Sequence, residues 1–134
     1  MDQVAAVLGV GPGLGAAVAR RFAREGFAVA LMSRREESVA AVRAEIEGAG
    51  GYALPVSTDA TDPASVRTAF ERIQSELGEP EIFVYNAGAF QMGGILEITP
   101  EKFDECFKAN CGGRSSTPST NASSLSDGSG GPKR

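Results

Sequence analysis

An apolar run, Val4-Ala5-Ala6-Val7-Leu8, breaks into Gly9-Val10-Gly11-Pro12-Gly13-Leu14-Gly15 and resumes as a helical pattern carrying Leu14, Val18 and Phe22. Strand, glycine turn and helix in that order constrain the fold more than any other feature of the chain. Glycines let the backbone turn through positive φ and approach a ligand closely, and the following helix aims its unpaired N–H groups and positive dipole end at the turn. Such a turn is the place where a nucleotide pyrophosphate binds in open α/β sheets.

The glycine run alone is ambiguous. Gly11, Gly13 and Ala16 fit G-x-G-x-x-A; Gly9, Gly11 and Gly13 fit the G-x-G-x-G of methyltransferases; Gly9, Gly13 and Gly15 fit G-x-x-x-G-x-G. A tight strand-to-helix turn with no ligand is the plain alternative to all three.

Strand and helix patterns then alternate with short connections, the pattern of βαβ units building a parallel sheet. Ala28 to Met32 reads as the second strand, and Val39, Val42 and Ile46 mark one face of a helix ending at Gly48-Ala49-Gly50-Gly51. Tyr52 to Val56 is the third strand. Asp62-Pro63 starts a helix, a capping carboxylate followed by a first-turn proline, with Val66, Phe70, Ile73 and Leu77 at helical spacing before Gly78. Glu81 to Tyr85 is the fourth strand, and Thr99-Pro100 opens a further helix whose buried face is expected to include Phe103 and Phe107. The expected class is α/β, a Rossmann-like doubly wound parallel sheet ending after about four strands.

A chain of 134 residues accommodates one domain, here residues 1–111, and its formal net charge of −4 comes without the basic stripe of a nucleic-acid binder. The early first strand leaves no room for a signal peptide and no apolar stretch is long enough to span a bilayer, so a cytoplasmic setting without membrane contact is expected. Cys106 and Cys111 are too few and wrongly spaced for a disulfide framework and read as small apolar fillers; with no histidine, no metal site is expected. From Gly112 to Arg134 the composition turns to Ser, Gly, Thr and Pro, with Leu125 the one large apolar residue, which predicts a disordered tail over 112–134.

At Asn86-Ala87-Gly88, directly after the fourth strand, the reading narrows. This segment, with Gly9-x-x-x-Gly13-x-Gly15, resembles the short-chain dehydrogenase/reductase family, whose members set an N-A-G turn beside a G-x-x-x-G-x-G turn. In a doubly wound sheet the first and fourth strands are neighbours, so both turns meet where the topology reverses. The resemblance covers residues 4 to about 111. It implies a nicotinamide dinucleotide as partner, held by Gly9, Gly13, Leu14, Gly15, Asn86, Ala87 and Gly88, with Asp59 and Ala60 beside the adenine ring. The run from Thr99 to Asn110 is similar to the family's fourth-helix segment, whose closing asparagine supports the catalytic residues through water. Many members place a threonine before the first glycine to tie the two turns together; here Leu8 stands there, so the link must be apolar or made elsewhere.

An acid at the end of the second strand would bind the ribose 2′-hydroxyl of NAD, whereas this chain offers Ser33-Arg34-Arg35, suited to a 2′-phosphate, so NADP(H) is preferred over NAD(H). The alternative is that Arg34 and Arg35 begin an exposed helix opposite Glu36 and Glu37. For hydride transfer the family uses a serine and a Tyr-x-x-x-Lys pair. Four residues after Tyr52 and Tyr85 stand Val56 and Ala89, the lysines are Lys102, Lys108 and Lys133, and serines crowd the tail, none on a strand pattern that could hold it rigidly. The resemblance therefore implies a carbonyl/alcohol oxidoreductase, with cofactor binding at best in the chain as written. The alternatives are a non-catalytic nucleotide-binding or regulatory variant and an S-adenosylmethionine-binding Rossmann protein. Later strands of the family cover the fourth one, so self-association through an exposed sheet edge is expected. The abrupt change of composition inside a matching helix is what a frameshift, an unusual splice junction or an incomplete gene model would leave.

Overall fold

The computed structural model describes residues 3–112. The expected tail, apart from Gly112, lies outside the described residues. Four strands, β1 (Val4–Leu8), β2 (Ala28–Ser33), β3 (Tyr52–Ser57) and β4 (Ile82–Tyr85), form one sheet in the order β3-β2-β1-β4 with all pairings parallel. Between them run α1 (Leu14–Arg24), α2 (Ala40–Gly48, entered through a short 3-10 turn at Glu36–Val39) and α3 (Pro63–Glu76), and α4 (Pro100–Asn110) follows β4. The chain steps outward from β1 to β3 and then returns to the other side of β1. That reversal opens a crevice at the carboxyl ends of β1 and β4.

Both sheet faces are covered, which explains why β1 and β2 read as unbroken apolar runs rather than alternating ones. All of β1 is buried, and successive residues serve opposite layers. Val4, Ala6 and Leu8 pack with Ala30, Met32, Leu54 and Val56 against Val66, Phe70, Ile73 and Leu77 of the α3 segment. Val7, Val29 and Leu31 pack on the opposite side against Ala16 and Ala19 of α1 and Val39, Val42 and Ile46 around α2. Small residues on the buried face of α1 let that helix lie close to the sheet.

The helix starts obey the expected chemistry. The Asp62 carboxylate accepts from the Ala64 N–H at 3.0 Å and Thr99 Oγ1 accepts from the Lys102 N–H at 3.3 Å, each ahead of a first-turn proline. Past α2 and α3 the chain turns at Gly50 and Gly78 with φ of +85° and +108°. At the outer edge β3 carries Pro55, tolerable there because an edge strand has spare ladder positions.

The structure corrects four expectations of packing. Leu14 is 68 % exposed at the start of α1, where the layer against the sheet is built by Gly15, Ala16 and Ala19 instead. Phe103 and Phe107 are 62 % and 56 % exposed, stacked on each other with no buried residue anywhere in α4, because among the described residues no element packs over that face. Cys111 is exposed and Cys106 half-buried, so the former is not a core filler. The strand ends also shift, with β2 and β3 each running one residue further and β4 starting at Ile82. The cause at the far end is a hydrogen bond from Thr58 N–H to the Ser33 carbonyl at 2.7 Å, which keeps β2 and β3 parallel past the last apolar residue.

Ile73 is wholly buried between α3 and the sheet, whereas Leu96 is 96 % exposed. Ile73→Ala is expected to lower the unfolding free energy by about 2–5 kcal/mol, and Leu96→Ala by less than about 0.5 kcal/mol, in urea titrations followed by circular dichroism.

Candidate functional site

The last residues of β1 and β4 pair side by side, Leu8 opposite Tyr85, so the two loops that follow leave the sheet together. Asn86 N–H donates to the Leu8 carbonyl at 2.8 Å, and Asn86 Nδ2 donates to the Gly9 carbonyl at 3.1 Å. This side-chain amide makes the link between turns that a threonine at position 8 would otherwise provide. Gly9 itself has φ +90°, and a Cβ there would come within 2.5 Å of Ala87 N. A Cβ on Gly15 would collide with the Gly9 carbonyl and lie 3.0 Å from Val10 Cα. By contrast, a Cβ on Gly11 or Gly13 would meet no heavy atom within 4 Å. The packing therefore demands glycine at positions 9 and 15, a pair that only the Gly9-Gly13-Gly15 register contains. Gly13 stands in open space ahead of α1, whose N-terminus has no side-chain cap and no acid in its first turn, unlike the capped starts of α3 and α4. An anion approaching that end meets an uncompensated dipole.

At the carboxyl end of β2, Ser33 Oγ donates to the Arg35 carbonyl at 2.6 Å, Ser38 Oγ donates to the same oxygen at 2.6 Å, and the two hydroxyls lie 2.9 Å apart. Ser57 Oγ at the end of β3 donates to the Arg34 carbonyl at 3.1 Å. Glu36 pairs with Arg72 of α3 at 2.9 Å, and Arg35 leads into the short 3-10 turn at Glu36–Val39. Both arginines are exposed and lack an ion pair among the described residues.

Beyond β3, the Asp59 carboxylate accepts from the Thr61 hydroxyl at 2.7 Å and the Thr61 N–H at 2.9 Å. These donors, with the hydroxyl contributing most and the Arg34 charge adding a little, hold its carboxyl below the usual aspartate value against a small opposing effect of burial. Asp59 is therefore a firmly ionised acceptor whose second oxygen makes no hydrogen bond among the described residues. Ala60 beside it is buried. Asn110, at the end of α4, accepts from Ala89 N–H at 3.0 Å and donates to the Ala89 carbonyl at 2.9 Å. Its amide thus pins the irregular segment that leaves the Asn86-Ala87-Gly88 turn, helped by a 2.5 Å bond from the Tyr85 hydroxyl to the Ala109 carbonyl.

These segments line one cleft of about 720 Å³, large enough for a cofactor. Its walls bring together Gly9, Ser33, Arg34, Asp59, Ala60 and the Asn86-Ala87-Gly88 turn. The other expected site residues stand off the wall. Gly13 and Leu14 are exposed at the start of α1, Gly15 is buried beneath Gly9, and Asn110 stands behind the wall, bonded to Ala89 and against Gly88. Sequence reasoning passed over Ser38, Ser57 and Thr61, whose hydroxyls shape the walls. Only Thr61 carried a signal, since a threonine two residues after an aspartate fits an Asx turn.

Glycine packing and Asp59 each give a test. Gly15→Ala is expected to cost about 1–3 kcal/mol of stability through overpacking, and Gly11→Ala no more than about 0.5 kcal/mol, measured by chemical denaturation. The lowered Asp59 value makes its carboxylate stabilising at neutral pH, and that stabilisation is lost as pH falls through the lowered value. Thr61→Val removes the principal donor, so its destabilisation relative to the parent is expected to be larger at neutral pH than in acid. Urea midpoints across an acid-to-neutral series check the sign.

A family model described as short chain dehydrogenase matches residues 3–132, past the limit of about 111 to which the sequence resemblance was traced. The probable oxidoreductase EphD of Mycobacterium tuberculosis is 38 % identical over 112 residues, covering 84 % of this chain and 19 % of that protein. The L-2,3-butanediol dehydrogenase of Corynebacterium glutamicum is 34 % identical, with 82 % of this chain and 43 % of that one covered. Among solved structures, a short-chain type dehydrogenase/reductase from Mycobacterium marinum superposes with a TM-score of 0.83 at 34 % identity, covering 86 % of this chain and 47 % of that one. A metagenomic short-chain oxidoreductase in complex with NADP gives 0.81 at 30 % identity, covering 85 % and 52 %. The chain thus spans about half or less of the relatives it matches. With two turns locked together by Asn86 at the β1–β4 reversal and a family match over most of its length, this chain belongs to the short-chain dehydrogenase family.

Proposed function

We propose that the cleft binds a nicotinamide dinucleotide, NADP(H) in preference to NAD(H), through Gly9, Gly13, Leu14, Gly15, Ser33, Arg34, Asp59, Ala60, Asn86, Ala87 and Gly88. The observation that carries this reading is the pair of unpartnered arginines at the end of β2, where no acid stands to repel a 2′-phosphate. The residues present fit the group in size and charge. Glycine positions that face open space leave room for a pyrophosphate against the uncapped start of α1, and the free oxygen of Asp59 is an acceptor for an adenine amino group. A similar solved oxidoreductase holds NADP, in keeping with this assignment.

When bound, the dinucleotide supplies a hydride that exchanges with a carbonyl or alcohol carbon. This chain's own residues hold it. Asn110 positions the Ala89 backbone beside the nicotinamide side and so supports whatever catalytic groups act there. Neither tyrosine has a lysine four residues on, so we expect binding without carbonyl reduction by the 134-residue chain. The non-catalytic or regulatory reading makes the same demand on the cleft. Turnover in a reduction assay after NADPH titration would refute the non-catalytic reading. Family membership removes the support for S-adenosylmethionine. Self-association through a sheet edge and a cytoplasmic setting belong to the same proposal. Among the described residues no helix is long and apolar enough to cross a membrane.

Arg34→Ala is expected to weaken NADPH binding about tenfold or more while changing NADH binding far less, as for the loss of a charge-assisted hydrogen bond to phosphate. Titrating the nicotinamide fluorescence of each reduced cofactor measures the two affinities. Equal losses for both would assign Arg34 to a feature the cofactors share.

A further inference from the structure

The loop that carries Arg34 and Arg35 has more donors than its carbonyl needs. Three donors converge on the Arg35 oxygen, namely Ser38 N–H at 3.1 Å, Ser38 Oγ at 2.6 Å and Ser33 Oγ at 2.6 Å. A carbonyl oxygen has two lone pairs, and Ser38 alone fills both. The Ser33 hydroxyl also lies 2.9 Å from Ser38 Oγ, so its single proton has two interchangeable internal acceptors and is required by neither. Ser33 is half-buried on the cleft wall, beside the exposed side chain of Arg34. The neighbouring carbonyl of Arg34 is likewise served from outside the loop, by Ser57 Oγ at 3.1 Å.

We propose that Ser38 is a specificity-positioning residue, one that satisfies the Arg35 carbonyl so that the Ser33 hydroxyl is free to turn its proton toward a ribose 2′-phosphate. The inference rests on the NADP(H) reading of the cleft. A serine that must hold its own loop together gives up that bond when it donates to a ligand, and the loss cancels part of the gain. Ser38 removes the conflict. The 2′-hydroxyl of NAD(H) is itself a donor as well as an acceptor and can give its proton to Ser33 Oγ, so its binding depends less on where the Ser33 proton points. Ser38 therefore acts on the choice between the two cofactors without touching either one.

The test compares NADPH and NADH affinities, by nicotinamide fluorescence, for the full chain and for Ser33→Ala, Ser38→Ala, Ser38→Thr and the Ser33→Ala, Ser38→Ala double variant. Ser38→Ala is expected to lower the NADPH-to-NADH affinity ratio about fivefold, in line with one net hydrogen bond, and Ser38→Thr to restore it. Because both serines act through one proton, the double variant is expected to lose little beyond Ser33→Ala alone. A ratio unchanged in Ser38→Ala, or strictly additive losses in the double variant, overturns the inference while leaving the cofactor reading intact. A ratio near one in the parent chain overturns the cofactor reading and the inference with it. Should Ser38→Ala lose its circular-dichroism signature, Ser38→Cys, a weak donor of similar size, takes its place against Ser38→Thr, and equal ratios in those two overturn the inference.

Discussion

The site depends on how closely two turns approach each other at the carboxyl ends of β1 and β4. Leu8 and Tyr85 are register partners, and one residue later Asn86 bonds the backbone of β1 twice, through its N–H to Leu8 and through its amide to Gly9. That approach brings the Asn86–Ala87 peptide to where a Cβ on Gly9 would stand. Gly9 in turn lies so near Gly15 that α1 has no room for a side chain there. One line of contacts, from β4 through the first glycine to the start of α1, thereby fixes the position of the helix end that faces the cleft. Any side chain in that line would push the helix from the sheet.

Around this fixed point the cleft is walled by loops whose polar groups are satisfied by short hydroxyl and carboxylate contacts rather than by regular structure. Serines close the carbonyls after β2, Thr61 donates twice to Asp59 after β3, and Asn110 grips both polar atoms of Ala89 after β4. Loops held this way keep a defined shape without an apolar interior. The surface ion pairs contribute far less. Arg72 bridges Glu36 and Glu76 in solvent, which tethers the β2 loop to α3 but adds little stability for each exposed pair.

Much of this architecture was written into periodicity. Val39, Val42 and Ile46, and Val66, Phe70, Ile73 and Leu77, are all buried as their helical spacing requires, since a stripe that recurs at the period of a helix has one place to go. Asp62-Pro63 and Thr99-Pro100 started helices because capping is decided within one turn of the chain. Leu14, Phe103 and Phe107 failed as core residues for the opposite reason. Their apolar character is local, but burial requires a neighbouring surface, and small residues already filled the α1 contact while no described element packs over α4. Within the site, Gly9, Arg34, Asp59 and Asn86 were legible from motif and position. Ser38 and Ser57 were not: Ser57 bonds a carbonyl of another segment, and a lone serine such as Ser38 carries no periodic or spacing signal even though its partner is three residues away.

The sequence by itself determined the strand-turn-helix opening, the βαβ alternation, the parallel sheet and the absence of an acid at the end of the second strand. Each follows from local backbone preference or from residues close in the chain. Tertiary structure alone decided which glycines are obligatory, because that depends on what stands opposite an imagined Cβ. It also decided that Asn86 replaces the missing link at position 8, that the arginines after β2 remain unpaired while Glu36 turns to Arg72, and that two serines compete for one carbonyl. Apart from the serines, whose shared carbonyl lies within their own loop, these are contacts between segments far apart in the chain, set by the strand register and the helix packing that the local code can only begin.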